Sequence, residues 1–143
     1  MHLQSTTLTS LALALTATAS GPCTMGIDVL DQTVAVVGGT HQQYCKASIW
    51  DQGDVSKNPV ATADIGCSGG STAQVLWGGW HYNFRLNKSV GPSGKLGDGD
   101  AEVMREYVGA EVPFNEHYSK THFAPVNVAI TNIAYAQVDC PFK

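Results

Sequence analysis

Residues 72–87, TAQVLWGGWHYNFRLN, constrain the fold more than any other segment: two runs of alternating apolar and polar side chains flank Gly78-Gly79. A glycine pair supplies the positive φ values of a two-residue hairpin turn, so the two runs are expected to pair antiparallel. In that register Trp77 faces Trp80, Val75 opposes Tyr82 and Ala73 opposes Phe84. Ala73, Val75, Trp77, Trp80, Tyr82, Phe84 and Leu86 then share the core face. Gln74, His81, Asn83, Arg85 and Asn87 share the other, with Leu76 the one apolar residue among them.

The same period of two recurs at Met25, Ile27 and Val29, at Cys45, Ala47 and Ile49, and at Ala63, Ile65 and Cys67. TVAVV at 33–37 adds a further strand. Turn-forming clusters at Gly38-Gly39, 51–59 and 68–71 separate these runs, as in an antiparallel all-β domain. Val126, Val128 and Ile130 alternate, but Ile133 and Tyr135 continue in the opposite phase, which predicts a bulge or bend at Asn132. DAEVMREYV over 100–108 predicts one short helix: Asp100 is a good N-cap, Glu102 lies in the first turn and Gly109 follows the end. The glycine-rich 88–99 segment reads as a flexible loop. The expected fold is mostly all-β, an antiparallel sandwich or partly closed barrel of about six to eight strands with that one helix. Too few helices are present to cover a parallel sheet.

Residues 1–20, MHLQSTTLTSLALALTATAS, run from a short polar start through a Leu/Ala segment to small residues, the pattern of a secretory signal with cleavage after Ala19. The apolar run is too short to span a bilayer. Residues 20–143 are then one exported, disulfide-stabilised domain. The four cysteines, Cys23, Cys45, Cys67 and Cys140, imply two disulfides in three alternative pairings. The usual proximity of chain ends favours Cys23–Cys140 with Cys45–Cys67. No CxxC pair suggests zinc instead. Asn87-Lys88-Ser89 is a sequon, making Asn87 a candidate glycan acceptor. Eight Lys and Arg against twelve Asp and Glu, with no basic run, argue against a nucleic-acid partner.

His81, Asn83, Arg85 and Asn87 form a polar row on one strand face. A nuclease uses a histidine base and an arginine in this way, but it also needs a glutamate and a second histidine across the sheet, which the sequence does not position. Glu111, Glu116, His117 and His122 are wrongly spaced for HExxH, and a solvated loop accounts for them better than a metal site. In GDGDAE, at 97–102, the helix cap accounts for Asp100 better than a calcium loop does. GxSxG and GxGxxG are absent, so neither a serine nucleophile nor a cofactor is expected. Trp50 is out of phase with Cys45, Ala47 and Ile49 and is expected to project from the sheet as an exposed anchor. Trp77 and Trp80, at the hairpin tip, either plug the sandwich or join that anchor.

A Leu/Ala/Thr leader followed by a β-rich domain with two cysteine pairs resembles the small secreted, effector-like or elicitor proteins of filamentous fungi. The resemblance implies an extracellular protein that acts by binding. The expected function is therefore a secreted, non-enzymatic interaction protein recognising an extracellular or host protein or glycan through Trp50, Trp77, Trp80, His81, Asn83 and Arg85. The alternatives are a small secreted hydrolase, with nuclease the nearest chemistry, or a structural wall-associated protein.

Overall fold

The structure, a computed structural model, describes residues 21–34, 39–106 and 110–140, with backbone alone at 21–22 and 139–140. The expected signal segment and the 35–37 part of the TVAVV strand lie outside these residues. Among the described residues the chain forms nine strands and no helix: β1 Gly21–Val34, β2 Thr40–Trp50, β3 Ala61–Ile65, β4 Thr72–Trp77, β5 Trp80–Leu86, β6 Ala101–Arg105, β7 Glu111–Pro113, β8 Glu116–Ala124 and β9 Asn127–Cys140. A five-stranded sheet, ordered β3-β2-β1-β9-β8, faces a four-stranded one, ordered β4-β5-β6-β7. All neighbours are antiparallel. The result is an all-β sandwich that does not close into a barrel.

Side chains directly opposite one another across a ladder point to the same face, so register fixes the core. Met25, Ile27 and Val29 pair with Ile49, Ala47 and Cys45 on one side, and Met25 and Ile27 with Ala136 and Ala134 on the other. These meet Val75, Tyr82, Phe84, Leu86, Ala101 and Val103 of the second sheet in one continuous buried cluster. Phe84 and Phe114 pack at 6.1 Å between ring centroids, a tilted pair, and each large side chain removed from water contributes about 1.5–3 kcal/mol. On the outer face of β1, opposite Tyr135, Gly26 is fixed by close approach: a Cβ there would lie 2.5 Å from the Ala134 carbonyl oxygen.

The hairpin register is the one expected, Trp77 opposite Trp80 through Thr72 opposite Arg85. Gly78 and Gly79 take φ values of 59° and 80°, as a primed turn requires. Cys45 and Cys67 are joined, with Cα atoms 5.5 Å apart, linking β2 to the segment that leads into β4. Cys23 is buried and disulfide-bonded. The side chain of Cys140, its expected partner, lies outside the described residues, and the backbone register sets Cys140 opposite Gly21.

Three expectations are corrected. The helix expected over 100–108 is not formed by its described residues: Ala101–Arg105 are β6 and pair with Leu86 to Tyr82 of β5, and 107–108 lie outside the described residues. Its local capping signal closes a tight turn: Asp100 Oδ2 accepts from the Gly97 amide at 2.7 Å. Alternation, with Ala101 and Val103 buried and Glu102 and Met104 half-buried, lets this segment satisfy the open edge of β5, which a helix of nine residues could not do. The bulge at Asn132 is absent, because β9 keeps unbroken register with both β1 and β8. Its apolar phase changes because both faces of the sheet are covered: Ala134 and Ala136 point into the sandwich, whereas Ile133 and Tyr135 lie on the outer face with Trp50. The NEHYSKTH segment is the edge strand β8 rather than a loop, and β7 brings the strand count to nine. The mostly exposed 88–99 loop is held at three points, with Leu96 buried, Val90 N donating to Cys67 O at 2.9 Å and Gln43 Nε2 donating to Gly91 O at 2.9 Å.

Candidate functional site

The outer face of the four-stranded sheet collects most of the polar residues singled out in the sequence. Alternation along β5 places His81, Asn83 and Arg85 there, and pairing sets Leu76, Gln74 and Thr72 of β4 opposite them. On the other side β6 sets Met104 opposite Asn83 and Glu102 opposite Arg85, and Glu111 of β7 lies beyond Met104. Glu102, Glu106 and Glu111 thus join a row that the sequence alone could not assemble. Reading 100–108 as a helix hid them; the alternation of Glu102, Met104 and Glu106 against Ala101, Val103 and Arg105 was the signal available.

These groups pair among themselves. The Arg85 guanidinium is in contact with Glu102 and reaches Glu111 at 3.4 Å, and its Nε donates to Asn87 Oδ1 at 3.0 Å. His81 Nδ1 lies 2.8 Å from Glu106 Oε2, within hydrogen-bond distance. Gln74 Nε2 donates to Asn83 Oδ1 at 3.0 Å. One arginine against three glutamates leaves the face acidic. The depression beside Arg85 holds only about 190 Å³. Leu76, 61% exposed, stands opposite His81 on the edge strand β4, beside the hairpin tip.

Chemically, this arrangement is poorly suited to phosphodiester cleavage. The cation that would steady a phosphate is already held by two carboxylates, and the second histidine is elsewhere. His117 sits on the inner face of β8, where its Nε2 lies 2.6 Å from Asp98 Oδ1, and His122 is exposed on the opposite face of that strand. The same alternation separates His117 from Glu116, and Glu111 belongs to the other sheet. Among the described residues no group of three or more His, Cys, Asp or Glu is placed to hold a metal.

The three tryptophans differ in role. Trp80, 42% exposed, extends the hairpin tip, with the Arg105 guanidinium carbon 4.3 Å from its ring centroid. Trp77 is half-buried and packs against the core. Trp50 does project from the outer face of the five-stranded sheet, as its phase requires, but it is only 2% exposed. The 51–59 loop folds over it, Val55, Ile133, Tyr118 and Tyr135 surround it, and its Nε1 donates to Lys57 O at 2.9 Å. It is therefore a small second core and no surface anchor. Asn87 is exposed, with its amide nitrogen 3.3 Å from Gly99 O. A further polar cluster had no sequence signal: the nearly buried Asp31 lies 2.5 Å from His41 Nε2 and accepts from Gln43 Nε2 at 3.2 Å. These three share one sheet face only through the β1–β2 register.

No helix among the described residues is long and apolar enough to cross a membrane. No protein-family model, characterised protein or solved structure matches this chain.

Proposed function

We propose that the protein is a secreted, non-enzymatic interaction module that binds an extracellular or host partner through the outer face of its four-stranded sheet and the adjoining Trp80 tip. The observation that carries this reading is Arg85 neutralised by Glu102 and Glu111 on a sheet face that also exposes Leu76. Groups that already satisfy one another are poor reagents, yet they make a specific, pre-organised polar surface beside an apolar contact. The depression on this face, about 190 Å³, is below the roughly 300 Å³ at which small-ligand pockets begin, which favours a protein over a glycan. The acidic balance favours a basic surface on that partner. The leader-like N-terminus and the disulfide support an oxidising, extracellular location.

A hydrolase is the second reading, favoured by one observation: Glu106 stands within hydrogen-bond reach of His81. One experiment separates the two. A photo-cross-linking residue at Gln74 should give a discrete adduct with an extracellular protein, whereas the same residue at the exposed Thr62 of the other sheet should not. Leu76→Asp should weaken that binding at least tenfold, about 1.4 kcal/mol, without unfolding the protein. Absence of any adduct, together with RNA cleavage abolished by His81→Ala, would replace binding with catalysis.

A further inference from the structure

A second site lies on the outer face of the five-stranded sheet, where a groove of about 670 Å³ opens along β1, β2 and β3. Small ligands are held in pockets of roughly 300–1,000 Å³, so this groove has the capacity that the depression beside Arg85 lacks. A cavity of about 150 Å³ accommodates benzene, and a hexose ring with its hydroxyls is about twice that size, so roughly two such rings fit here.

Strand register builds the floor of the groove. Ile27, Val29, Cys45, Ala47 and Ile65 point into the core, so the residues between them point outward. Pairing sets Asp28 opposite Lys46 and Lys46 opposite Asp64, one row across three strands spaced about 4.8 Å apart. The neighbouring row sets Leu30 opposite Tyr44, with Thr131 of β9 on the other side of Leu30. All six residues line the groove. Tyr44 is 49% exposed, and its hydroxyl donates to Gln42 Oε1 at 2.7 Å, which steadies the ring. Asp28 is half-buried and has no hydrogen-bonding partner among the described residues. Burial, opposed only by the charge of Lys46, holds its carboxyl above the ordinary range. A carboxylate so placed is short of donors.

Two rows of different character therefore lie side by side. The first alternates acceptor, donor, acceptor. An organic cation would be repelled by Lys46 and an anion by both carboxylates, whereas a hydroxyl donates to a carboxylate and accepts from an ammonium without a charge of its own. The second row, Leu30 with the Tyr44 ring, supplies apolar surface about 6.6 Å further along the strands. A pyranose is divided in the same way, with hydroxyls around its rim and a face of C–H groups.

We infer that this groove binds an uncharged oligosaccharide through a hexose disaccharide unit, its hydroxyls meeting Asp28, Lys46 and Asp64 and a C–H face lying on Tyr44 and Leu30. The site is on the other outer face of the sandwich from the proposed partner surface, so either reading can fail alone.

The test is an NMR titration of the full chain with cellobiose, maltose, lactose and mannobiose, following the backbone amides of Asp28, Tyr44, Lys46 and Asp64. At least one sugar should shift these signals saturably at millimolar concentration. Tyr44→Ala should weaken that binding at least tenfold, with the remaining backbone spectrum confirming the fold. Asp28→Asn should weaken it at least threefold; removing a half-buried charge does not unfold the protein, so this loss reads the ligand contact. Spermidine and inorganic phosphate should bind more weakly than the best sugar. No saturable shift from any of the four sugars at tens of millimolar, unchanged binding in Tyr44→Ala, or tighter binding of spermidine or phosphate than of every sugar, would overturn the assignment.

Discussion

Trp50→Ala should unfold the outer cluster of the five-stranded sheet and cost much of the protein's stability. The side chain is almost wholly buried against Val55 and Ile133, with Tyr118 and Tyr135 packed alongside, and its indole donates to the Lys57 carbonyl. Truncating a buried aromatic to alanine costs about 3–5 kcal/mol. The cluster is peripheral and the 51–59 loop can partly collapse into the space, so about 3 kcal/mol is expected. Against a domain stability of roughly 5–15 kcal/mol this is a large fraction. Urea unfolding followed by far-UV circular dichroism reads it directly. With a slope of roughly 1–3 kcal/mol per molar urea, the midpoint should fall by at least about 1 M. Trp50→Phe keeps most of the packing and removes the N–H, so its loss should be smaller, about 1–2 kcal/mol. A Trp50→Ala change within about 0.5 kcal/mol of the parent, as for an ordinary surface substitution, would refute the burial argument and return Trp50 to the role of an exposed anchor.

Two further outcomes follow from burial and covalent topology. Burial raises the Asp28 carboxyl above its ordinary range, and the attraction of Lys46 only partly offsets this. The folded state therefore disfavours the charged form. Its contribution is fully present below the unfolded value of about 4 and is lost as pH rises through the higher folded one. Asp28→Asn should raise the melting temperature at pH 7, with the gain closing below about pH 4; a less stable variant at pH 7 would mean that the carboxylate pairs productively with Lys46. The Cys45–Cys67 link spans 22 residues, so Cys45→Ala with Cys67→Ala should cost roughly 3 kcal/mol through the freed unfolded chain. A loss below about 1 kcal/mol in denaturant unfolding would contradict that account.

The legible parts of the fold were those in which a local pattern and a local turn agree. Between Thr72 and Leu86 the alternation and the Gly78-Gly79 turn fix register within fifteen residues, and the observed pairing follows. Where two patterns competed, pairing with a distant strand decided. Ala101 to Arg105 carries helix-capping chemistry, but it lies beside an unpaired β5 edge and completes that sheet. The change of apolar phase at Asn132 has a similar origin, since both faces of β9 are covered. Of the candidate site, His81, Asn83 and Arg85 could be placed on one face from their spacing, whereas their glutamate partners arrive from β6 and β7.

From its sequence alone this chain determined an antiparallel β architecture, the hairpin register, the cysteine count available for disulfides and the face to which each alternating side chain belongs. These are local quantities, set by the two-residue repeat of an extended backbone and by glycine's access to positive φ. Tertiary structure alone decided what covers each face. It laid the 51–59 loop over Trp50, left Leu76 and Trp80 exposed, neutralised Arg85 with glutamates from two other strands, and opened a groove beside Asp28. Burial and ion pairing depend on segments far apart in the chain, and no short-range periodicity encodes which of them will meet.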